Sequence, residues 1–317
     1  MSDFLGEDMS IQKRFPFAHT FSIVARDPNT GQMGVAVQSH WFSVGSLVTW
    51  GRAGVGVIAT QAMVEVSYGP LGLGLMAEGK TASEALTCLK EKDSGKAIRQ
   101  VAMIDVQGNV AVHTGERCIQ SAGHKAGENY SVQANMMDNE SVWPAMAEAF
   151  EKSSGTLSER LLVALEAAQF AGGDVRGKQS AAMLIVDGNK KEMEWEGVLL
   201  DLRVEDHPEP IQELRRLVTL HNAYELMNEG DACLGAGKTN EALMKYEKAA
   251  SLAPQILELP FWHAVTMAEI GKVDEALPIF HQIFEADLQW KKLLQRLPEA
   301  GLFNVDRSVL DRILQLV

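Results

Sequence analysis

Cysteine is scarce in this chain. Cys88, Cys118 and Cys233 are the only three in 317 residues, and no C-x-x-C pair occurs. An odd, widely spaced set excludes a disulfide framework and a zinc ribbon. Long apolar runs are missing too, since nothing approaches the ~20 residues that span a bilayer. The first twenty residues, MSDFLGEDMSIQKRFPFAHT, lack the apolar stretch of a secretory signal. Together these absences point to a reducing cytoplasm and to no membrane partner. Positive charge is also short: 29 Lys and Arg stand against 42 Asp and Glu, a formal net charge of -13. The deficit is shared, with 18 basic against 25 acidic side chains over residues 1–205 and 11 against 17 over 206–317. A surface acidic in both halves is repelled by phosphate backbones, so no nucleic-acid partner is expected.

What is present is an ordinary globular composition, 46% apolar and 22% charged, long enough for about two domains. Residues 1–19 read as a polar extension. Then the pattern turns to short β-prone runs. TFSIVA (20–25) and MGVAVQS (33–39) flank the turn cluster RDPNTGQ and predict a hairpin. VGSLVTW (44–50) and GVGVIAT (54–60) predict a second. Two helices are expected next, over 69–79 and 81–92, the latter opened by Thr81 three residues before Glu84, a capping box. Strands return at 99–105 and 109–114, with a shorter one at 130–135. Helices follow over 141–152 and 156–170, the second with Thr156 and Glu159 as another capping box and Gly172-Gly173 as its stop. Strands at 180–187 and 194–203 complete the unit. Hairpins separated by helix pairs are not a βαβ alternation. The order fits an α+β fold: two antiparallel sheets face to face with helices outside each, a four-layer αββα sandwich over 20–207.

The C-terminal third, 208–317, reads as all helix. Gly237-Lys238 recurs as Gly271-Lys272, Glu241-Ala242-Leu243 as Glu275-Ala276-Leu277, and Tyr246 as Phe280, each 34 residues on. That period, with small residues at helix crossings and an aromatic nearby, is the tetratricopeptide pattern. Two repeats, one degenerate, need flanking helices over 208–221 and 289–317 as caps.

Most chemical motifs are absent. The eight histidines never pair at i, i+4 and no H-E-x-x-H occurs, so no metal and no cofactor is expected. The glycine-rich stretch 72–79 lacks the Lys and Ser/Thr of a phosphate loop, and there is no G-x-S-x-G elbow. Cys88 sits in an amphipathic helix; Cys118 follows Arg117, a neighbour able to lower a thiol pKa. Two segments resist a packing explanation. One is Thr20-Phe21-Ser22 at the head of the first strand. The other is the loop 171–180, which sets Asp174, Arg176, Lys178, Gln179 and Ser180 among three glycines. It reads equally as a ligand-gripping loop or as a helix C-cap followed by an Asp–Arg turn.

The segments TFSIVARDPNTGQMGVAVQSHWFSVGS, GVGVIATQA, AGGDVRGKQSAAMLIV and DLRVEDHPEPIQELRRL, in that order, resemble the domain of unknown function 1028, in the N-terminal-nucleophile (Ntn) hydrolase superfamily. The resemblance covers about residues 19–220; a separate tetratricopeptide resemblance covers about 222–290. The superfamily implies the αββα sandwich and hydrolysis of an amide or other C–N bond by the chain's first residue. The free α-amino group, of pKa about 7.7–8.0, serves as its base. Thr20 heads the first strand and is the expected nucleophile. Nineteen residues precede it, a departure from the family's pattern. Unless they are cut off, Thr20 has no free amine. Attack of its hydroxyl on the preceding carbonyl is the route by which Ntn precursors cleave such a bond. Asp174 and Arg176 are expected to line the cleft, orienting the amine or binding a substrate carboxylate. Backbone N–H groups or Asn135 would form the oxyanion hole. Ser39, His40, Gln61, His124 and Ser180 are further candidates for substrate binding. The expected ligand is a small molecule and the expected assembly a homo-oligomer. A catalytically silent ligand-binding protein, or an adaptor with a protein partner on 222–290, are the alternatives.

Overall fold

A computed structural model describes residues 17–18 and 20–317. The chain divides into two compact units, the first ending at Arg215 and the second running Arg216–Val317. Apart from Phe17 and Ala18, the extension expected over 1–19 lies outside the described residues. Those two residues form a strand rather than a polar tail.

The first unit is α+β with two antiparallel sheets. One sheet runs β1 (Phe17–Ala18), β5 (Gly56–Met63), β6 (Arg99–Asp105), β7 (Val110–Thr114), with β4 (Thr49–Arg52) also paired to β5. The other runs β11 (Val198–Val204), β10 (Ser180–Val186), β3 (Met33–Ser39), β2 (Thr20–Arg26), β9 (Tyr130–Ala134), β8 (Gly123–Gly127). The expected hairpin of β2 and β3 is in register Thr20↔Ser39 to Arg26↔Met33. Helices α2 (Tyr68–Ala77) and α3 (Ala82–Lys92) pack on the first sheet; α4 (Val142–Lys152) and α5 (Leu157–Phe170) pack on the second. Both capping boxes form, with Glu84 N on Thr81 Oγ1 and Glu159 N on Thr156 Oγ1. Alternate side chains of the two sheets meet in one apolar cluster that includes Val24, Val35, Val57, Ile104 and Val186. Each fully buried side chain of this size contributes about 1.5–3 kcal/mol.

Two local expectations are corrected, and one strand was not expected. The run 44–50 is not a strand throughout. Gly45–Val48 forms a short helix, α1, before β4 begins at Thr49. A Cβ on Gly45 would stand 2.5 Å from the Ala182 methyl, so the glycine lets this turn lie flat against β10. Strand β8, GHKAG, carries no inward apolar pattern and was unreadable as a strand. Residues 194–197 wind into a 3-10 turn, so β11 starts only at Val198.

Helix α6 (Pro210–Gly235) carries the chain into the second unit. There α7 (Thr239–Leu252), α8 (Glu258–Glu269), α9 (Val273–Ala286), α10 (Gln289–Arg296) and α11 (Arg307–Leu314) follow. A core of Phe261, Phe280, Phe284, Leu294 and Phe303 binds the later helices. The same turn closes two of these helices. Gly237 (φ 75°) and Gly271 (φ 86°) are both left-handed, and Lys238 N donates to Cys233 O as Lys272 N donates to Met267 O.

Candidate functional site

Strand alternation puts Thr20, Ser22 and Val24 on one face of β2. The same parity gives Ser39 and Val37 on β3, Gln61 and Ala59 on β5, and Gln100 and Ala102 on β6. Every one of these is fully buried between the sheets. The interior is therefore apolar at one end and polar at the other. A buried, unpartnered amide costs about 1–3 kcal/mol, so the polar end has to satisfy itself.

It does so through one continuous network. Ser131 Oγ donates to Gln133 Oε1 (3.1 Å), Gln133 Nε2 to Ser22 Oγ (2.6 Å), and Ser22 Oγ to Gln61 Oε1 (2.6 Å). Gln61 Nε2 and Asn135 Nδ2 both donate to Gln100 Oε1, at 2.7 and 2.8 Å. Gln100 Nε2 then donates to Thr114 Oγ1 (2.8 Å) and Ala134 O (2.9 Å). Thr114 Oγ1 lies 2.9 Å from His124 Nδ1, where the network reaches the surface. Burial of the His124 ring edge, with His113 nearby, lowers the His124 pKa and favours its neutral form.

Thr20 sits on this network through its main chain. Its carbonyl accepts from Asn135 N (3.1 Å), Gln61 Nε2 (3.3 Å) and Asn135 Nδ2 (3.4 Å). Its hydroxyl donates to Ala18 O at 2.5 Å and faces Ser39 Oγ at 3.5 Å. The backbone here is strained. Ser43, Ala62 and Met136 are non-glycine residues at φ 55°, 71° and 58°. They lie just beyond Ser39, Gln61 and Asn135 in sequence. Such conformations cost about 1–3 kcal/mol each and persist where the surroundings over-determine them, as they do at functional sites.

The loop 171–180 joins the row of strand ends from the side. Asp174 is buried. Arg176 grips its carboxylate with Nε (3.0 Å), Nη2 (2.7 Å) and its own backbone N–H (2.9 Å). That carboxylate also accepts from His40 N, at 3.3 Å from Oδ2. Gly173 N donates to Ala168 O and Gly177 N to Asp174 O, so the loop is built as a helix C-cap followed by an Asp–Arg turn. Ser180 Oγ donates to Trp41 O (2.5 Å) and accepts from Val44 N (3.1 Å), fixing the chain beyond β3. Thr20, Ser39 and Ser180 lie opposite one another across β2, β3 and β10. The structure thus brings Ser39, Gln61 and Asn135 directly to Thr20. Asp174 and Arg176 reach that row through the backbone of His40, whose Nδ1 is buried without a hydrogen-bond partner among the described residues. His124 is joined to it only by way of Thr114 and Gln100.

Residues 20–214 match the family of unknown function DUF1028. The chain belongs to this family. It is also similar to a solved structure, protein SPO2555 from Silicibacter pomeroyi, itself described as DUF1028. That likeness has a TM-score of 0.58 and 35% identity, and covers 63% of this chain and 85% of that one. No curated protein matches.

In this DUF1028 chain, sequence reasoning missed Gln100, Thr114 and Gln133, and named Ser22 only as part of the strand head Thr20-Phe21-Ser22. The signal was there: a lone polar residue at an inward position of an otherwise apolar strand, as in RQVAMID. It also missed Arg99, which is buried next to Gln100. Its Nη1 donates to Met63 O (2.7 Å) and its Nε to Asp93 Oδ2 (3.0 Å). Burial works to raise the Asp93 pKa. The Arg99 guanidinium and the Gly95 N–H outweigh it and hold the carboxyl below its ordinary value. Cys118 is corrected in the opposite sense from its Arg117 neighbour: burial pushes its thiol up, away from the reactive thiolate. Among the described residues no group of three or more His, Cys, Asp or Glu is placed to hold a metal ion. No described helix is long and apolar enough to cross a membrane.

Proposed function

We propose that this DUF1028 chain is an Ntn-type hydrolase of an amide or other C–N bond, with Thr20 as its nucleophile. On this reading the two sheets and their outer helices form the αββα sandwich of the Ntn superfamily. The repeated helical turns around Gly237 and Gly271 then belong to a tetratricopeptide-like segment. The observation that carries the proposal is the placement of Thr20. Its hydroxyl stands at the head of β2, between the sheets, at the strained polar end, with its carbonyl held by three donors.

The chemistry needs a base that Thr20 lacks while its nitrogen is in a peptide bond. Cleavage of the His19–Thr20 bond supplies it. The hydroxyl attacks the His19 carbonyl, the acyl group passes from nitrogen to oxygen, and water hydrolyses the ester. The freed α-amine, of pKa about 7.7–8.0, then takes the hydroxyl proton as Oγ attacks a substrate carbonyl carbon. The C–N bond breaks and the leaving amine takes that proton. Water, losing a proton to the α-amine, hydrolyses the acyl–Thr20 ester to a carboxylate, and Oγ recovers its proton. Gln61 and Asn135 hold the Thr20 backbone, while Asp174 and Arg176 shape the rim. The same reading takes a small-molecule substrate, a cytoplasmic setting and a homo-oligomer, with residues 222–290 open to a protein partner.

The test is intact mass with N-terminal sequencing, followed by amide and ureido substrates. A chain that starts at Thr20 and loses turnover in Thr20→Ala supports the proposal. A chain that keeps residues 1–19 after long incubation rejects the amine-base mechanism. It then favours the second reading, a catalytically silent ligand-binding protein. One observation already leans that way: the Thr20 hydroxyl is engaged by Ala18 O.

A further inference from the structure

The contact between Thr20 and Ala18 has a second meaning. Ala18 lies in the first sheet and Thr20 in the second. β1 pairs antiparallel with the last two residues of β5, Phe17↔Met63 and Ala18↔Ala62. The opposite edge of β5 is fully used by β6, down to Ala62↔Arg99. On β1's own edge, β4 takes only Gly56 to Ala59. Among the described residues, the stretch Ala62–Met63 therefore has a strand partner on that side only in β1.

This edge is held in place. Ala62 keeps its left-handed backbone, and the buried Arg99 ties down Met63 O. Arg99 is in turn anchored by Asp93 at 3.0 Å. A strand laid on it brings one carbonyl, that of Ala18, to 2.5 Å from the Thr20 hydroxyl. The Ala18 side chain is fully buried and belongs to the apolar cluster between the sheets, with Ala59 and Val64. A methyl group fits there. A longer side chain would have to displace packed neighbours, which costs about 1–3 kcal/mol even for an added methylene or two.

We propose that Ala62–Met63 is the substrate-docking edge of the Thr20 site. The ligand class is an extended peptide or peptide-like acyl amide that adds as a strand antiparallel to β5. The residue ahead of its reacting carbonyl is small, as Ala18 is. Main-chain hydrogen bonds to a strand edge give such a ligand its affinity, and the single side-chain pocket gives its selectivity. In the unprocessed chain β1 occupies this edge, so the chain's own segment and an added peptide compete. The inference rests on the hydrolase reading for its chemistry and puts a peptide-like ligand in place of that reading's small molecule, but docking itself requires no turnover.

The experiment uses the full chain and a fluorescein-labelled peptide, Arg-Phe-Pro-Phe-Ala-amide, which copies residues 14–18. The comparison peptide ends in Leu-amide. Ala18→Lys puts a cation where only a methyl fits and expels β1. Phe17→Pro removes one backbone N–H and keeps Ala18, which covers the case in which the first variant fails to fold. Near-ultraviolet circular dichroism identifies the folded variants. A folded variant is expected to bind the Ala peptide at least tenfold more tightly than wild type does, and at least tenfold more tightly than it binds the Leu peptide. Equal binding by wild type and variant, no binding by a folded variant, or no preference between the peptides overturns the docking edge. Binding is read without turnover, so an inactive chain rejects the hydrolase reading and leaves this result standing. Turnover of unrelated amides without peptide binding does the reverse.

Discussion

Gln100 organises the polar end more than any residue around it. Its Oε1 accepts from both Gln61 and Asn135, the two side chains that hold the Thr20 carbonyl. Gln100→Leu removes that acceptor and leaves two buried donors short of a partner. Each such donor costs about 1–3 kcal/mol, so urea denaturation is expected to show a loss in that range or above it. Gln61→Leu in the same chain removes one stranded donor. The double variant is therefore expected to lose less than the sum of the singles, because the two share a partner. Strict additivity would show that the two amides do not act as a unit. Asp93 gives a pH prediction at the same scale. Its folded pKa is depressed, so its contribution is present above the ordinary value of about 3.9. That contribution is lost as pH falls below this value through the lower, folded one. Asp93→Asn is expected to be less stable than wild type at pH 6, with the difference shrinking as pH falls below about 4. Urea midpoints across that range measure it. A constant difference would mean that Asp93 acts through packing alone.

Elements were legible where local chemistry and burial agree. The capping boxes at Thr81 and Thr156, the β2–β3 hairpin and the 34-residue turn repeat are each written in a few adjacent residues. Thr81→Ala and Thr156→Ala are expected to cost about 1 kcal/mol each, the usual value of an N-cap. Their sum should be additive, since the caps open separate helices. Thermal or urea unfolding of the singles and the double checks both points. Gly237→Ala and Gly271→Ala form a matched pair of another kind. Each glycine is left-handed, and a Cβ there meets nothing within 4 Å, so the penalty is conformational, about 1–2 kcal/mol. Nearly equal losses would show that the two turns are the same device; a marked difference would break the repeat. Elements were illegible where partners far away in sequence decide. β8 is a strand because β9 pairs with it, while its own residues, GHKAG, carry no strand pattern. Gly45–Val48 is helical because Gly45 abuts Ala182, 137 positions on.

At the scale of the molecule, the sequence reading places a junction at 206–210, and the compact units divide at Arg215–Arg216. The site was half legible. Thr20 stood out as a strand head, but its partners Gln61 and Gln100 come from β5 and β6 of the first sheet and Asn135 from just beyond β9 of the second. Only the facing of those sheets assembles them. The two units also keep separate cores: the cluster around Val24, Val57 and Ile104 shares no residue with that around Phe261, Phe280 and Phe284. Phe280 is fully buried, and truncating a buried Phe to Ala costs about 3–5 kcal/mol. Hydrogen exchange on Phe280→Ala is therefore expected to speed up the amides of α8 and α9, since protection reports the free energy of local opening. Amides of β2 and β3 should keep their wild-type rates. Equal acceleration in β2 and β3 would mean that the units unfold as one, so that damage to the helical repeat also opens the Thr20 site. Unchanged β2 and β3 rates would make the helical unit a separately stable module, whose loss leaves the sheets around Thr20 intact.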